Sequence, residues 1–301
     1  MIEHLNRSPV PPRRVVVMGA GGFVGSAISA RATQGSIPVL ALGRKEIDLL
    51  RPDAAARLAG LLEPDDAFVA ISALAPCKNP EMLVGNMVMG RAMVEALELR
   101  PVGHIIYVSS DAVYADNPLP IGESWWTAPG TLHGAMHLAR EVMFRLQTAA
   151  PLAVLRPSLL YGAKDSHNGY GPNRFRRQIE NGQDIMLFGE GEERRDHVFI
   201  DDLAELALQV LLFRSKGNLN VATGEVRSFR EIAEKMVALS GRRVMVKGTQ
   251  RSGPMPHNGY RPFDVAVCRK AFPQFRFTSI EEGLRLLVRG EGTNAEPARN
   301  P

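Results

Sequence analysis

Cysteine is nearly absent: Cys77 and Cys268 are the two in 301 residues. They stand far apart without metal-ligand spacing, which excludes a disulfide-stapled scaffold and a cysteine-rich metal centre. Two reduced thiols in a cytoplasmic protein are expected instead. No apolar run reaches the roughly 18 residues that a membrane span needs, so no membrane partner is expected. A strong charge excess is missing too. The net charge of +4 is too small over this length to call for a nucleic-acid partner. The opening stretch lacks the apolar core of a signal peptide. It is polar, carries Pro9, Pro11 and Pro12, and reads as a disordered leader over residues 1–13. The stretch after Gly290 is similar in kind, a disordered tail over 290–301.

What is present is ordinary for a globular chain, 45% hydrophobic and 23% charged, long enough for one large core with a smaller lobe. The first half alternates short apolar runs with helical stretches. Val15 to Met18, Pro38 to Leu42, Ala67 to Ile71, His104 to Val108 and Leu152 to Leu155 are continuously apolar, as expected of strands covered on both faces. Helical patterns lie between them, at Asn86 to Leu99 and Leu132 to Thr148. This rhythm predicts an α/β fold with a doubly wound parallel sheet over residues 14–161. From Gly162 to Asn173 the chain is rich in Gly, Asn and Asp. A smaller C-terminal substrate lobe is expected over 162–289, with some elements returning to the main sheet. Arg174, Arg176 and Arg177, and again Arg194 and Arg195, form cationic clusters that suit either solvated surface or a pocket for a phosphorylated ligand.

Gly19-Ala-Gly-Gly-Phe-Val-Gly25 follows the first strand and opens a helix. Glycines at 19, 22 and 25 permit a tight turn and close approach of backbone amides to a pyrophosphate. The helix N-terminus adds free N–H groups and the positive end of its dipole. The strand–turn–helix setting makes this a dinucleotide site, of the Rossmann type. At the end of the second strand stands Gly43-Arg44-Lys45, two cations where NAD binders carry a carboxylate. NADP is therefore the expected cofactor, with NAD possible; the alternative is that Arg44 only stacks on adenine.

Several motifs, in order, resemble the extended short-chain dehydrogenase/reductase family, in its nucleotide-sugar branch of NAD-dependent epimerases and dehydratases. They are the glycine turn, Ile47-Asp48-Leu49, the helix asparagine Asn86, Val108-Ser-Ser-Asp-Ala-Val-Tyr114, Leu155-Arg-Pro157 with Tyr161-Gly162, Arg194-Arg-Asp-His-Val198 with Asp201-Asp202, and Asn218 to Gly224. The resemblance runs from about Val15 to Val288. It implies a dinucleotide held by Gly19, Gly22, Phe23, Val24, Gly25, Arg44, Asp48, Leu49, Ala73, Asn86 and His137. It implies nucleotide-sugar contacts at Asn173, Phe188, Arg195, Arg261 and Asp264, and Ser110 as the hydroxyl on the reacting oxygen. It also implies a homodimer built on the helix after Asn86 and the catalytic helix, with Met87, Met89 and Met93 on the first of these.

The family's catalytic Tyr-x-x-x-Lys is missing. The aligned segment, Thr131 to Glu141, has His133 where Tyr is expected and His137 where Lys is expected. Three readings stay open. His133 transfers the proton, since imidazole titrates near neutrality, and His137, one turn on, binds the ribose. Or the chain binds dinucleotide and sugar nucleotide without hydride chemistry, as a binding or sensor protein. Or the i,i+4 histidines chelate a metal, although no third ligand is evident. The family's dehydratases carry Thr-Asp-Glu where this chain has Ser110-Asp111-Ala112, so an epimerase or a 4-keto reductase is the expected activity.

Overall fold

In the computed structural model, residues 2–165 and 168–290 are described. In chain order the strands and helices are β1 (Arg14–Met18), α1 (Phe23–Gln34), β2 (Val39–Leu42), α2 (Ala54–Ala59), β3 (Asp66–Ala70), α3 (Pro80–Leu99), β4 (His104–Val108), α4 (Leu132–Gln147), β5 (Leu152–Pro157), β6 (Leu159–Tyr161) and α5 (Pro172–Glu180). Then come β7 (Ile185–Phe188), β8 (Arg194–Phe199), α6 (Ile200–Leu212), β9 (Gly217–Val221), β10 (Val226–Ser228), α7 (Phe229–Ser240), β11 (Val246–Thr249), β12 (Tyr260–Arg261), α8 (Ala266–Ala271) and α9 (Ile280–Arg289).

The main sheet is parallel, in the order β2-β1-β3-β4-β5-β9. Its strands show why their sequences do not alternate. Val15 and Val17, Val69, Ile106 and Leu155 face one core, which α1 and α6 cover. Val16 and Met18, Phe68, Ile105 and Val154 face the other, under α2 and α3. Successive residues point to opposite faces, so a sheet covered twice needs apolar side chains at every position. The chain leaves β1 for β2 on one side and crosses back to β3 on the other. This opens a crevice at the carboxyl ends of β1 and β3, where such sheets bind ligands.

The smaller lobe holds a second sheet, β10-β8-β12 with β6 on β8, and the parallel pair β11-β7. From within this stretch α6 packs on α1 and β9 joins β5, so the chain passes through the main sheet once more. α3 is longer than its apolar pattern. Asn79 accepts from the Met82 N–H and Pro80 takes the first helical position, so the helix starts six residues before Asn86.

The leader expected to be disordered is docked. Glu3 bridges Lys216, the Leu5 and Asn6 amides donate to Phe213 O, and Val10 N donates to Leu212 O. His4 joins Ser215 Oγ at 2.7 Å and Ala271 O at 2.9 Å and stacks on Phe213. All these partners lie more than 200 residues away, beyond the reach of a local pattern. The expected tail beyond Gly290 falls outside the described residues. Among the described residues, no helix is long and apolar enough to cross a membrane.

Candidate active site

A cavity of about 850 Å³ occupies the crevice, walled by the segments that follow β1, β2, β3 and β4: Gly19–Val24, Gly43–Arg44, Ile71–Pro76 and Ser109–Ala112. Its shape depends on absent side chains. Gly19 has φ +108°, and a Cβ there would lie 2.7 Å from Ser72 N. A Cβ on Gly25 would collide with the Gly19 carbonyl, so α1 can run this close to the turn only with glycine. Gly22 caps α1 without a side-chain hydrogen bond, and no acidic residue sits in the first turn. The helix N-terminus is thus open to an anion. These features fit a dinucleotide pyrophosphate.

Also on the cavity wall, Ser110 Oγ caps a short 3-10 turn (Asp111–Val113). It accepts from Ala112 N at 3.1 Å and lies 3.3 Å from Asp111 Oδ1. Thr131 caps α4 by accepting from Gly134 N. Gly134 then lies so close to the 3-10 turn that any Cβ would strike the Ala112 carbonyl. This contact holds the start of α4 against the turn, and His133 and Ser110 both line the cavity. Gly134→Ala is accordingly expected to destabilise the protein by about 1–3 kcal/mol, the usual range for overpacking. It should also lower any turnover, measured by denaturant unfolding and by initial rates. A variant matching wild type in both would show that this contact positions nothing.

The two histidines sit edge to face, with ring centroids 4.7 Å apart. His133 accepts a long contact from Cys77 N, 3.4 Å. Burial lowers its pKa below the ordinary 6.5, and Asp111 partly opposes this. His137 is buried and meets Tyr107 Oη at 2.8 Å. Burial first, then His133 and Arg140, hold it well below 6.5. Both imidazoles are therefore neutral at pH 7. No group of three or more potential metal-ligating side chains occurs among the described residues.

Asp111 is buried under two arginines. Burial alone would raise its carboxyl, but Arg195 and Arg261 outweigh it and hold the group below the usual range. Arg261 is 1% exposed and fully engaged. Its Nε donates to Asp111 Oδ2 at 2.9 Å, one terminal nitrogen to Asp111 O at 2.6 Å, and the other to Asp116 Oδ1 at 2.6 Å.

The family model described as NAD dependent epimerase/dehydratase family matches residues 15–222. The chain belongs to this family. It is 26% identical over 312 residues to ADP-L-glycero-D-manno-heptose-6-epimerase of Alkalilimnicola ehrlichii, covering 90% of this chain and 95% of that protein. It is 26% identical over 276 residues to dTDP-4-dehydro-6-deoxy-D-allose reductase of Streptomyces bikiniensis, covering 76% of this chain and 82% of that one. The crystal structure of the UDP-glucose 4-epimerase of Thermus thermophilus, complexed with NAD, superposes with a TM-score of 0.82 at 22% identity, covering 92% of this chain and 98% of that one. That likeness shows the fold: a Rossmann sheet with a second lobe.

Against the family pattern, the structure gathers Gly19, Gly22, Phe23, Val24, Arg44, Asp48, Leu49, Ala73, Ser110, His133, His137, Asn173 and Arg195 around the one cavity. Five expected site residues are not on its wall. Gly25 is inside α1. Asn86 is fully buried: its Oδ1 accepts from Leu74 N and its Nδ2 donates to Leu74 O and Met82 O, so it ties down the β3–α3 loop from behind. Phe188 lies outside, stacked on Tyr170 at 4.4 Å. Asp264 is exposed and caps Ala266 N at 2.9 Å. Arg261 is locked on Asp111, as described.

The reading that no carboxylate stands after β2 also needs correcting. Glu46 folds back to accept from Gly43 N at 2.8 Å, and Asp48 lies 3.4 Å from Arg44 Nε. Three residues beyond the glycine, Glu46 was too far along the chain to look like part of the turn. Sequence reading also missed Tyr107, Tyr170, His197 and His257. His197, His257 and Tyr170 line the cavity, and Tyr107 supports it. The visible signal was a tyrosine inside the apolar run His104 to Val108, since a buried hydroxyl requires a partner.

Proposed function

We propose that this chain is an NADP-dependent enzyme, able to use NAD, that acts by hydride transfer at a sugar carbon of a nucleotide sugar, as an epimerase or a 4-keto reductase. One observation carries the reading: the glycine turn, Ser110, His133 and His137 line a single cavity at the carboxyl ends of the parallel strands. Its volume is at the upper end of small-molecule sites, about 300–1,000 Å³. When bound, the nicotinamide supplies the hydride acceptor and donor. Ser110, its oxygen already accepting from Ala112 N, turns its hydrogen from the long 3.3 Å contact with Asp111 Oδ1 onto the reacting sugar oxygen. Neutral His133 takes the proton from that oxygen and returns it. His137 hydrogen-bonds the dinucleotide ribose. Asn173 and Arg195 contact the nucleotide sugar. The relatives named above, an epimerase and a reductase of nucleotide-linked sugars, support the substrate class.

The joint replacement of Tyr and Lys favours a second reading, a non-catalytic sensor of the same ligands. One experiment separates them. The protein is mixed with NADP(H) or NAD(H) and ADP-, dTDP- or UDP-linked sugars, followed by nicotinamide absorbance and NMR of the sugar. Turnover supports the enzyme, binding without turnover supports the sensor, and no binding of either ligand class overturns both.

Cofactor preference makes a separate prediction. The Arg44 side chain is 79% exposed and, among the described residues, holds only the long contact to Asp48, so it can turn onto a 2′-phosphate. A charge-assisted hydrogen bond of this kind corresponds to roughly tenfold or more in affinity. NADPH is expected to bind that much more tightly than NADH, and Arg44→Ala to erase the gap. Equal affinities in the wild-type protein would show that Glu46 and Asp48 cancel the cation.

The assembly proposed is a cytoplasmic homodimer through α3 and α4. Met89, Met93, Ala92 and Ala96 are buried in the monomer core, so they cannot supply the interface. Val84, Leu99, Leu132, Val142 and Leu146 are the exposed large apolar residues on these helices, and a set of such contacts suits helix pairing. Sedimentation at micromolar concentration should show a dimer, and Leu146→Glu should shift it to monomer. A wild-type monomer rejects the proposal.

A further inference from the structure

Tyr107 stands in β4 with 1% of its surface exposed. Its hydroxyl meets Nδ1 of His137 at 2.8 Å, and no second hydrogen-bond partner for it occurs among the described residues. The proton's place follows from this. If Nδ1–H donated, the phenolic hydrogen would be buried with no acceptor, at about 1–3 kcal/mol. If the phenol donates, both groups are satisfied. Nδ1 is then the acceptor, and the single ring hydrogen of neutral imidazole sits on Nε2. Because Nδ1 is taken and His137 still lines the cavity, Nε2 is the nitrogen left for a ligand.

Arg140 supplies the second part. It lies one turn beyond His137 on α4, with its guanidinium 5.4 Å from the Tyr107 ring centroid. It is wholly buried, and none of its three side-chain nitrogens has a partner among the described residues. Gly90 on α3 makes the room, since a Cβ there would come within 3.2 Å of Arg140 Cγ. An unpaired buried cation opposes a second positive charge on the neighbouring imidazole. Tyr107 from β4 and His133 and Arg140 from α4 are the titratable groups that face His137. The Glu141 carboxylate is held by Ser109, Arg145 and Arg156. Asp111, on the 3-10 turn, acts on His133. α3 brings the uncharged Met89 and Gly90.

We infer that Tyr107 and Arg140 together lock His137 as a neutral imidazole with its hydrogen on Nε2, a fixed donor to the hydroxyls of the bound ligand, and leave His133 as the member of the pair that exchanges a proton. The lock itself is a property of the protein alone; it rests on the proposed function only in naming a ribose or sugar hydroxyl as the acceptor. Tyr107 and Arg140 act through His137 and are positioning residues.

Nitrogen-15 NMR of the full chain, labelled at histidine and titrated from about pH 8 to about pH 5 across the ordinary histidine range, tests this. His137→Gln and His133→Asn assign the two signals. The expected result is that His137 stays neutral with the hydrogen on Nε2 throughout, while His133 protonates towards the acid end. Tyr107→Phe should turn the His137 signal into a mixture of both tautomers. Arg140→Met should let His137 protonate within the range. Wild-type His137 carrying its hydrogen on Nδ1, His137 protonating before His133, or Tyr107→Phe leaving the tautomer unchanged would each overturn the inference. If a variant fails to fold, the wild-type tautomer and the order of protonation still decide. Tyr107→Phe should also weaken dinucleotide binding by about five- to tenfold, the loss of one preorganised hydrogen bond. A lock that is observed in a protein that binds no dinucleotide upholds the inference and rejects the reading of the cavity.

Discussion

Replacing His133 by alanine is expected to lower turnover by about 10²–10⁴-fold, the usual share of general acid–base catalysis, with little change in dinucleotide affinity. His133 lines the cavity with Ser110, and Gly134 holds the start of α4 against the turn that Ser110 caps. Its neutral form dominates at pH 7, because burial lowers its pKa. This state suits a base, which an epimerase needs first, to take the proton from a sugar hydroxyl as the carbon is oxidised. The pH profile separates the two activities. An epimerase should lose rate as pH falls through the His133 pKa, below 6.5. A reductase, needing imidazolium to protonate the new hydroxyl, should lose rate as pH rises through the same point. A tyrosine enzyme would show neither limb there. His133→Tyr combined with His137→Lys is the informative control. A lapsed enzyme with an intact pocket gains hydride transfer from it, whereas a working histidine enzyme does not improve. Measurable wild-type turnover that survives His133→Ala unchanged would refute the assignment, whatever the reaction.

The parts of this molecule that were legible in sequence are those governed by short-range rules. Continuous apolar runs marked β1 to β5 because a twice-covered sheet leaves no polar face. The glycine turn was legible because φ +108° at Gly19 and the collision behind Gly25 admit little else. The helical pattern from Leu132 placed the start of α4, and the aligned family motif placed His133 on it. What was hidden depends on partners distant in the chain. An arginine on a helix, as Arg140 is, belongs to a residue type that is mostly exposed. Only the meeting of α3, α4 and β4 shows it buried over Tyr107. Asn86 and Arg261 carry the polar groups expected of binding residues, but both direct them inward, at the Leu74 backbone and at Asp111. Asp196, in the arginine–aspartate motif, does the same: it accepts from Ser158, Thr223 and Gly224 and so joins β8 to the ends of β5 and β9. A motif fixes which residues matter, and the packing decides whether they hold ligand or hold the site.

Asp111→Ala tests that distinction through stability, and the expected loss is about 3–5 kcal/mol, the range for breaking a buried ion pair by removing one partner. The variant would leave the Arg261 guanidinium, 1% exposed, with Asp116 as its remaining carboxylate, and Asp116 is 43% exposed in its side chain. Arg195, 3.4 Å from the same carboxylate, would lose a counter-charge as well. The pair does not have to favour the fold for this to hold, because the penalty comes from the uncompensated charge left behind. Asp111→Ala combined with Arg261→Met should therefore recover much of the loss, since the stranded cation goes with its partner. The pH dependence has a definite sign. The folded-state pKa of Asp111 lies below the ordinary carboxylate value of about 3.9, so its contribution is full above that value and fades as pH falls through the folded one. Denaturant unfolding of the wild-type, single and double variants, near neutrality and near pH 3, reads all three effects. If Arg261 is instead a substrate arginine with no structural duty, Arg261→Met will leave the unfolding midpoint unchanged and weaken nucleotide-sugar binding. An Asp111→Ala protein within about 1 kcal/mol of wild type, the size of an ordinary surface substitution at most, would show that the cluster beneath Ser110 is not what holds this wall of the cavity.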